Sequence, residues 1–405
     1  MSSYDVQAVR DRFPALKAGY AHFDGPGGSQ VPDAVAEAVA AAMTSPLANR
    51  GTVTAAERAA DAIVLDARAA MADLLGTGAG GIVFGRSMTQ LTFDVARTLA
   101  ATWAPGDEVV VTRLDHDANI RPWVLAAEAA GAGVRWADFD PATGELTEDD
   151  IAAVLSPRTR LVAVTAASNL IGTRPPVRAI TDLAHAVGAL AYVDGVHYSA
   201  HTGVHVDALG ADFYACSPYK FLGPHCGVVA AAPALWETLH PQKLVPSSDA
   251  VPERFELGTL PYELLAGTTA AVDFLSGLVP GSAAGNGGSR RERLLHSMAA
   301  VEAHEDALRG RIEEGLAELP GVTLYSRAAH RTPTLLVGLD GREPAAYEFL
   351  AGRGVNAPAS SFYALEASRR LGLGDTGALR IGLAPYVDHR DVDRLLDGLR
   401  DFVAG

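Results

Sequence analysis

Several polar residues of this sequence stand directly at the ends of apolar runs. Asp194 ends ALAYVD (189–194), Asn169 follows LVAVTAAS (161–168) and His116 follows EVVVTRL (108–114). Ser217 and Lys220 come at the end of DFYACS (212–217), and Ser87, Met88 and Thr89 follow IVFG and open a helical pattern. If each run is a strand of one open α/β sheet, these remote residues meet at one edge, beyond the carboxyl ends of the strands, where such sheets bind ligands. A lysine amine forms a Schiff base with an aldehyde. An aspartate from a neighbouring strand keeps a pyridine nitrogen protonated, which makes the ring an electron sink. Backbone N–H groups at a helix N-terminus bind phosphate. Together these requirements describe pyridoxal 5'-phosphate (PLP). Taken singly, a lysine is commonly a solvated surface residue and an aspartate after a strand is commonly a helix cap.

The elements that must position these residues read as follows. From about residue 30 to 275 helical and strand-like segments alternate. Helices are expected over 31–43 and 54–75, after Ser87, and over PWVLAAEAAGAG. The apolar runs between them, closed by CGVVAAA (226–232), indicate a parallel or mixed sheet covered on both faces. GSAAGNGGSR (281–290) reads as a flexible stretch. A long helix, the segments GVTLYS and PTLLVGL, a helix near 344–353, ALRIGLA and a last helix over 389–403 suit a smaller α+β domain. The expected division is a large domain over 16–275 and a small one over 276–405, with residues 1–15 packing on the small one.

Composition narrows the function. The 405 residues carry 33 Lys+Arg against 48 Asp+Glu, a formal net charge of −15. That balance suits neither duplex DNA nor an anionic membrane surface, so no nucleic-acid or membrane partner is expected. Cys216 and Cys226 are the only cysteines, too few for a disulfide scaffold or a zinc cluster. With no apolar signal core at the N-terminus, a reducing cytoplasm is expected. No metal site is expected either, since His225 and Cys226, adjacent on a strand, would point to opposite faces. GTGAGG (76–81) and GLGDTG (372–377) have the spacing of a dinucleotide loop, but each follows a helical segment and precedes a strand, the reverse of what that loop needs. They read as helix ends with turns.

The chain resembles the class V aminotransferase group of PLP enzymes, in its cysteine desulfurase-like branch. The motifs, in order, are FDGPGGSQVP, SMTQ, DHDANIRPW, SNLIGT, VDGVHYSAH, DFYACSPYKFLGPHCG, RFELGT and LRIGLAPY. The resemblance implies a fold-type I PLP-dependent transferase, with a mixed, mostly parallel seven-stranded sheet in the large domain. It implies that Lys220 carries the cofactor and moves protons at Cα, Asp194 pairs with the pyridinium and His116 stacks on the ring. Asn169 and His197 would hydrogen-bond the phenolic oxygen. Ser87, Met88, Thr89, Ser217 and Tyr219 would bind the phosphate region, completed by Gly258-Thr259 of a partner subunit in a homodimer with shared active sites. Arg380 would take the substrate α-carboxylate, because its planar fork binds carboxylates through two parallel hydrogen bonds. Arg50, in NRGT, is a further candidate on the substrate side, and Asn169 also borders the substrate.

One departure bears on the reaction. Cysteine desulfurases carry a nucleophilic cysteine on a loop before the strand with the carboxylate arginine, and its thiolate removes sulfur as a persulfide. The matching stretch here, GVNAPASSFYALEA (354–367), has no cysteine. The leading expectation is a C–S β-lyase acting on cysteine or an S-substituted cysteine to give keto acid, ammonia and a thiol or sulfenate. Epimerisation, transamination, decarboxylation, desulfuration through Cys226, and a non-catalytic PLP-binding scaffold are the alternatives. Met88, Phe362 and Tyr363 are candidates to line a larger apolar pocket.

Overall fold

The computed structural model describes residues 4–279 and 288–405. Seven strands form the large sheet: β1 (Ile82–Gly85), β2 (Glu108–Thr112), β3 (Gly133–Ala137), β4 (Thr159–Thr165), β5 (Leu190–Asp194), β6 (Phe213–Cys216) and β7 (Gly227–Ala231). Their order is β1-β7-β6-β5-β4-β2-β3. β7 runs antiparallel to β1 and β6, and all other pairs are parallel. The expected mixed, mostly parallel sheet is therefore present. β2, β6 and β7 are buried along their whole length, which is why they read as largely apolar runs without alternation. β3 was not among the expected strands. It pairs only with β2, at the sheet edge, and its first four residues remain partly or fully exposed, so GVRWA never forms an apolar run.

Helices cover both faces of this sheet. One face is closed by a chain of aromatic contacts, Trp123 to Tyr192 to Phe213 to Trp236 to Phe255, with ring centroids 4.8, 5.9, 5.2 and 4.3 Å apart. Edge-on and offset ring pairs of this kind add to the stabilisation from burial alone. The helix Ala55–Leu75 opens on a Thr54/Glu57 capping box and ends on Gly76 at φ +68°, so GTGAGG is a helix C-cap. In GLGDTG, Gly372, Gly374 and Gly377 all have positive φ and form turns between a helix and a strand.

The smaller C-terminal domain holds an antiparallel sheet of β8 (Thr323–Leu324), β9 (Thr334–Gly338), β10 (Ala359–Ser360) and β11 (Ala378–Gly382), in the order β10-β11-β9-β8. The 28-residue helix Arg290–Ala317 leads into it, capped by Ser289 and Glu292. Within the stretch expected to be flexible, residues 281–287 lie outside the described residues. The N-terminal segment packs along this domain. The Arg10 guanidinium donates to the Tyr386 carbonyl and pairs with Asp391 at 2.6 Å and with Asp388 at 3.4 Å. Ala21 and His22 pair in parallel with Val355 and Asn356. No helix among the described residues is long and apolar enough to cross a membrane.

Candidate active site

A cleft opens at the carboxyl ends of β4, β5 and β6, where the large sheet faces the small domain. Its outer chamber, about 500 Å³, is lined by Pro26, Thr89, Phe93, His116, Arg121, Asn169, Tyr219, Lys220, Phe362, Tyr363 and Arg380, among others. An inner chamber of about 70 Å³ shares several of these walls and adds Ser87, Met88, Thr165, Asp194, His197 and Ser217. Thirteen of the residues singled out from the sequence thus meet in one place: Ser87, Met88, Thr89, His116, Asn169, Asp194, His197, Ser217, Tyr219, Lys220, Phe362, Tyr363 and Arg380.

The phosphate-type end is built by the helix Met88–Ala100. Ser87 caps it, accepting from the Gln90 N–H at 3.1 Å, which leaves other first-turn N–H groups free. The backbone of β7 lies hard against this turn. A Cβ at Gly227 would sit 2.1 Å from the Ser87 carbonyl carbon and 2.2 Å from the Met88 nitrogen, so only glycine fits.

Four titratable groups converge on the cleft. The Lys220 amine donates to the Pro26 carbonyl. Burial, reinforced by the Arg380 charge and opposed by Asp194, lowers its pKa to about 7. Asp194 ends β5 and has one oxygen held by the Val196 N–H at 2.9 Å. Burial raises it to about 6 against the pull of that N–H and of Lys220. Burial and the cations Lys220 and Arg380 lower His116 to about 3, so its imidazole is neutral. Its Nδ1 accepts from the Ala118 N–H at 3.0 Å, which puts the proton on Nε2. Arg380, on β11, is buried, and burial lowers even this guanidinium to about 9. It lies 3.7 Å over the Phe362 ring and donates to the Asn169 carbonyl at 3.0 Å.

His197 and Asn169 both border the inner chamber and each keeps hydrogen-bonding capacity toward it. His197 Nε2 lies 3.0 Å from both the Thr332 and the Thr334 hydroxyls. Thr332 also has the Gly172 carbonyl at 3.3 Å to donate to. Buried Thr334 has no other hydrogen-bond partner among the described residues, so its O–H must donate to Nε2. The His197 proton then sits on Nδ1, which is buried without a partner. The Asn169 amide nitrogen donates to the Phe362 carbonyl at 2.9 Å, and its Oδ1 is buried without a partner. One Asn169 N–H is thus engaged by the loop and a second remains, while the His197 Nδ1–H is a further buried donor with no partner among the described residues.

Three expected residues lie elsewhere. Arg50 does not line the cleft, because it pairs with Asp61 at 2.8 Å and Glu253 at 2.9 Å. Gly258 and Thr259 are exposed, on a segment anchored by the buried Arg68–Glu256 pair at 2.8 Å. The sequence reading missed Pro26, Phe93, Arg121, Thr332 and Thr334 as part of this constellation. It also missed Asp115, raised by burial to about 8, which accepts from Asn119 at 2.7 Å and braces the turn carrying His116.

These groups match what a phosphorylated pyridine aldehyde offers: an amine lowered to about 7, a buried carboxylate under the pull of Lys220, an N–H donor with no partner among the described residues and a free helix start. Comparison with known proteins agrees. The Aminotransferase class-V family model matches residues 21–395. An uncharacterised protein of Mycobacterium tuberculosis is 34% identical over 98% of this chain and 99% of its own length. A cysteine desulfurase of Dickeya dadantii is 32% identical over 98% of this chain and 96% of its own. The crystal structure of the cysteine desulfurase CsdA of Escherichia coli superposes with a TM-score of 0.86 at 26% identity, covering 99% of this chain and 98% of that one. The chain belongs to the class V aminotransferase family and is a PLP-dependent, cysteine desulfurase-like enzyme.

Proposed function

We propose that this enzyme is a C–S β-lyase acting on cysteine or an S-substituted cysteine. The observation that carries the reading concerns the thiols. Cys216 and Cys226 are the only cysteines, both are buried, and neither lines the cleft. Burial pushes the Cys216 thiol well up and the Cys226 thiol to about 11. The thiolate is the reactive form, so neither can take sulfur from a bound substrate. The sulfur then leaves with the fragment it already carries.

When bound, PLP supplies a sink for the electron pair left at Cα. In this reading Ser87, Met88, Thr89, Ser217 and Tyr219 hold the phosphate, with Gly258 and Thr259 of a second copy in a homodimer. Asp194 would keep the pyridine nitrogen protonated, His116 would cover the ring, and His197 Nδ1–H would donate to the phenolic oxygen. Arg380 orients the substrate carboxylate. About half of the Lys220 amine is neutral near pH 7, and in that form it would take the proton from Cα. The Cα–H pair becomes the Cα=Cβ bond, the Cβ–S bond breaks and sulfur keeps its pair. With one water consumed after release, the products are pyruvate, ammonia and a thiol, or a sulfenate from a sulfoxide.

Product identity tests this. The PLP-loaded protein is given L-cysteine and S-methyl-L-cysteine, and products are identified by mass spectrometry. Pyruvate is expected in equal amount with hydrogen sulfide from L-cysteine and with methanethiol from S-methyl-L-cysteine, and a Lys220→Ala variant forms none of them. Alanine together with a protein-bound persulfide would overturn the reading.

A further inference from the structure

The loop over the cleft says what kind of substrate side chain fits it, given the β-lyase reading on which this inference rests. Phe362 and Tyr363 have φ of +52° and +59°. Bulky side chains rarely adopt this left-handed conformation, and when they do the reason commonly lies at a functional site. Both peptides are clamped from the large domain. Asn169 Nδ2 donates to the Phe362 carbonyl at 2.9 Å, and the Asp117 N–H donates to the Tyr363 carbonyl at 2.7 Å. The clamp fixes where two rings point. Phe362 lies under the Arg380 guanidinium. Tyr363 stacks on His116, with centroids 5.6 Å apart and planes at 27°, yet remains 77% exposed. Half-buried Phe93, on the helix that starts the phosphate site, lines the same outer chamber. Arg121, also on this wall, is neutralised by Asp117 at 3.1 Å, so the rim offers no free charge to an acidic tail.

We propose that the cleft takes a cysteine whose sulfur bears a planar aromatic or heteroaromatic ring, held by Tyr363 and Phe93. Bare cysteine, with one sulfur atom beyond Cβ, would leave both rings in water. An S-linked ring covers them and gains an aromatic contact as well as apolar burial.

The test separates this from the lyase reading by using ligands that cannot be cleaved. L-Homophenylalanine and its cyclohexyl counterpart have the same reach and differ in aromaticity. Their dissociation constants for the PLP-loaded enzyme are read from the change in cofactor absorbance. The phenyl compound should bind about 2- to 10-fold tighter, the range one or two ring contacts carry. Tyr363→Ala should remove most of that preference and Tyr363→Phe should retain it. Equal affinities in the unsubstituted enzyme, or a preference unchanged in both Tyr363→Ala and Phe93→Ala, would overturn the proposal. S-Phenylcysteine is tested in parallel. If the phenyl preference holds but no thiophenol is released, the substrate class stands and the lyase reading falls. If S-methyl- and S-phenylcysteine are both cleaved but the two analogues bind equally, the lyase reading stands and this proposal falls.

Discussion

At the scale of single residues the cleft is organised by one buried cation. Arg380 and burial both act on Lys220 and His116 in the same direction, away from the charged form. A lysine with its ordinary value of 10.5 is almost wholly protonated at neutral pH, and only the neutral amine attacks an aldehyde. With the value at about 7, half of Lys220 is neutral near pH 7, and the fraction grows as pH rises. The rate at which PLP loads onto cofactor-free enzyme, followed by absorbance, should therefore climb through a midpoint near pH 7 and level off above it. Arg380→Gln should move that midpoint upward. Asp194→Asn should move it downward, because Asp194 favours the charged amine. A midpoint above pH 9 in the unsubstituted enzyme would contradict the burial and electrostatics described. Linkage gives the same sign for stability. Between about 7 and 10.5 the unfolded chain holds the Lys220 proton that the folded chain has lost, so this lysine makes the cofactor-free protein more stable as pH rises across that window.

At the scale of elements, most of the frame was legible and its edges were not. Runs such as VVV in β2 and LVAV in β4 are apolar on both faces because the sheet is covered on both faces. β3 was missed because an edge strand need only bury one side. Lys220 and Asp194 were legible because each stands at a strand end. The Thr334 contact with His197 was not, since it joins a strand of the small domain to a loop of the large one, and no local pattern marks such a meeting. Gly227 was legible as part of a strand but not as a packing requirement. It allows β7 to touch the start of the helix Met88–Ala100. Gly227→Ala should therefore push the strand off that turn and cost about 1–3 kcal/mol in urea unfolding, the usual range for overpacking. Ser87→Ala removes one N-cap hydrogen bond and should cost about 1 kcal/mol. Both should weaken PLP affinity, read by equilibrium dialysis, with Gly227→Ala the stronger. If Gly227→Ala left stability and affinity unchanged, β7 would not be holding the phosphate turn in place.

At the scale of the whole molecule, we propose that the cleft is completed by a second copy of the chain. Gly258 and Thr259 are exposed and line neither chamber of their own protomer. Leu244, Val245 and Leu257, in the same stretch, are 68, 97 and 48% exposed. Their apolar surface is available to a second copy. The buried pair Arg68–Glu256, with Glu256 also accepting the Phe84 N–H at 3.0 Å, anchors the segment to the large domain. An exposed loop anchored at its base is suited to enter a second copy, and two-fold symmetry would then make both sites shared. Mixing two inactive variants tests this. One carries Lys220→Ala. The other keeps Lys220 and carries Gly258→Val with Thr259→Ala. If the loop acts across the interface, a mixed dimer holds one site with both an intact lysine and an intact loop. After unfolding and refolding together at equal amounts, half of the dimers are mixed, each with one good site of two, so about a quarter of full activity should return. If the loop acts within its own chain, every site in the mixture lacks one part and no activity returns. Refolding each variant alone gives the baseline, and titrating the ratio of the two should give a maximum at equal amounts only if the sites are shared.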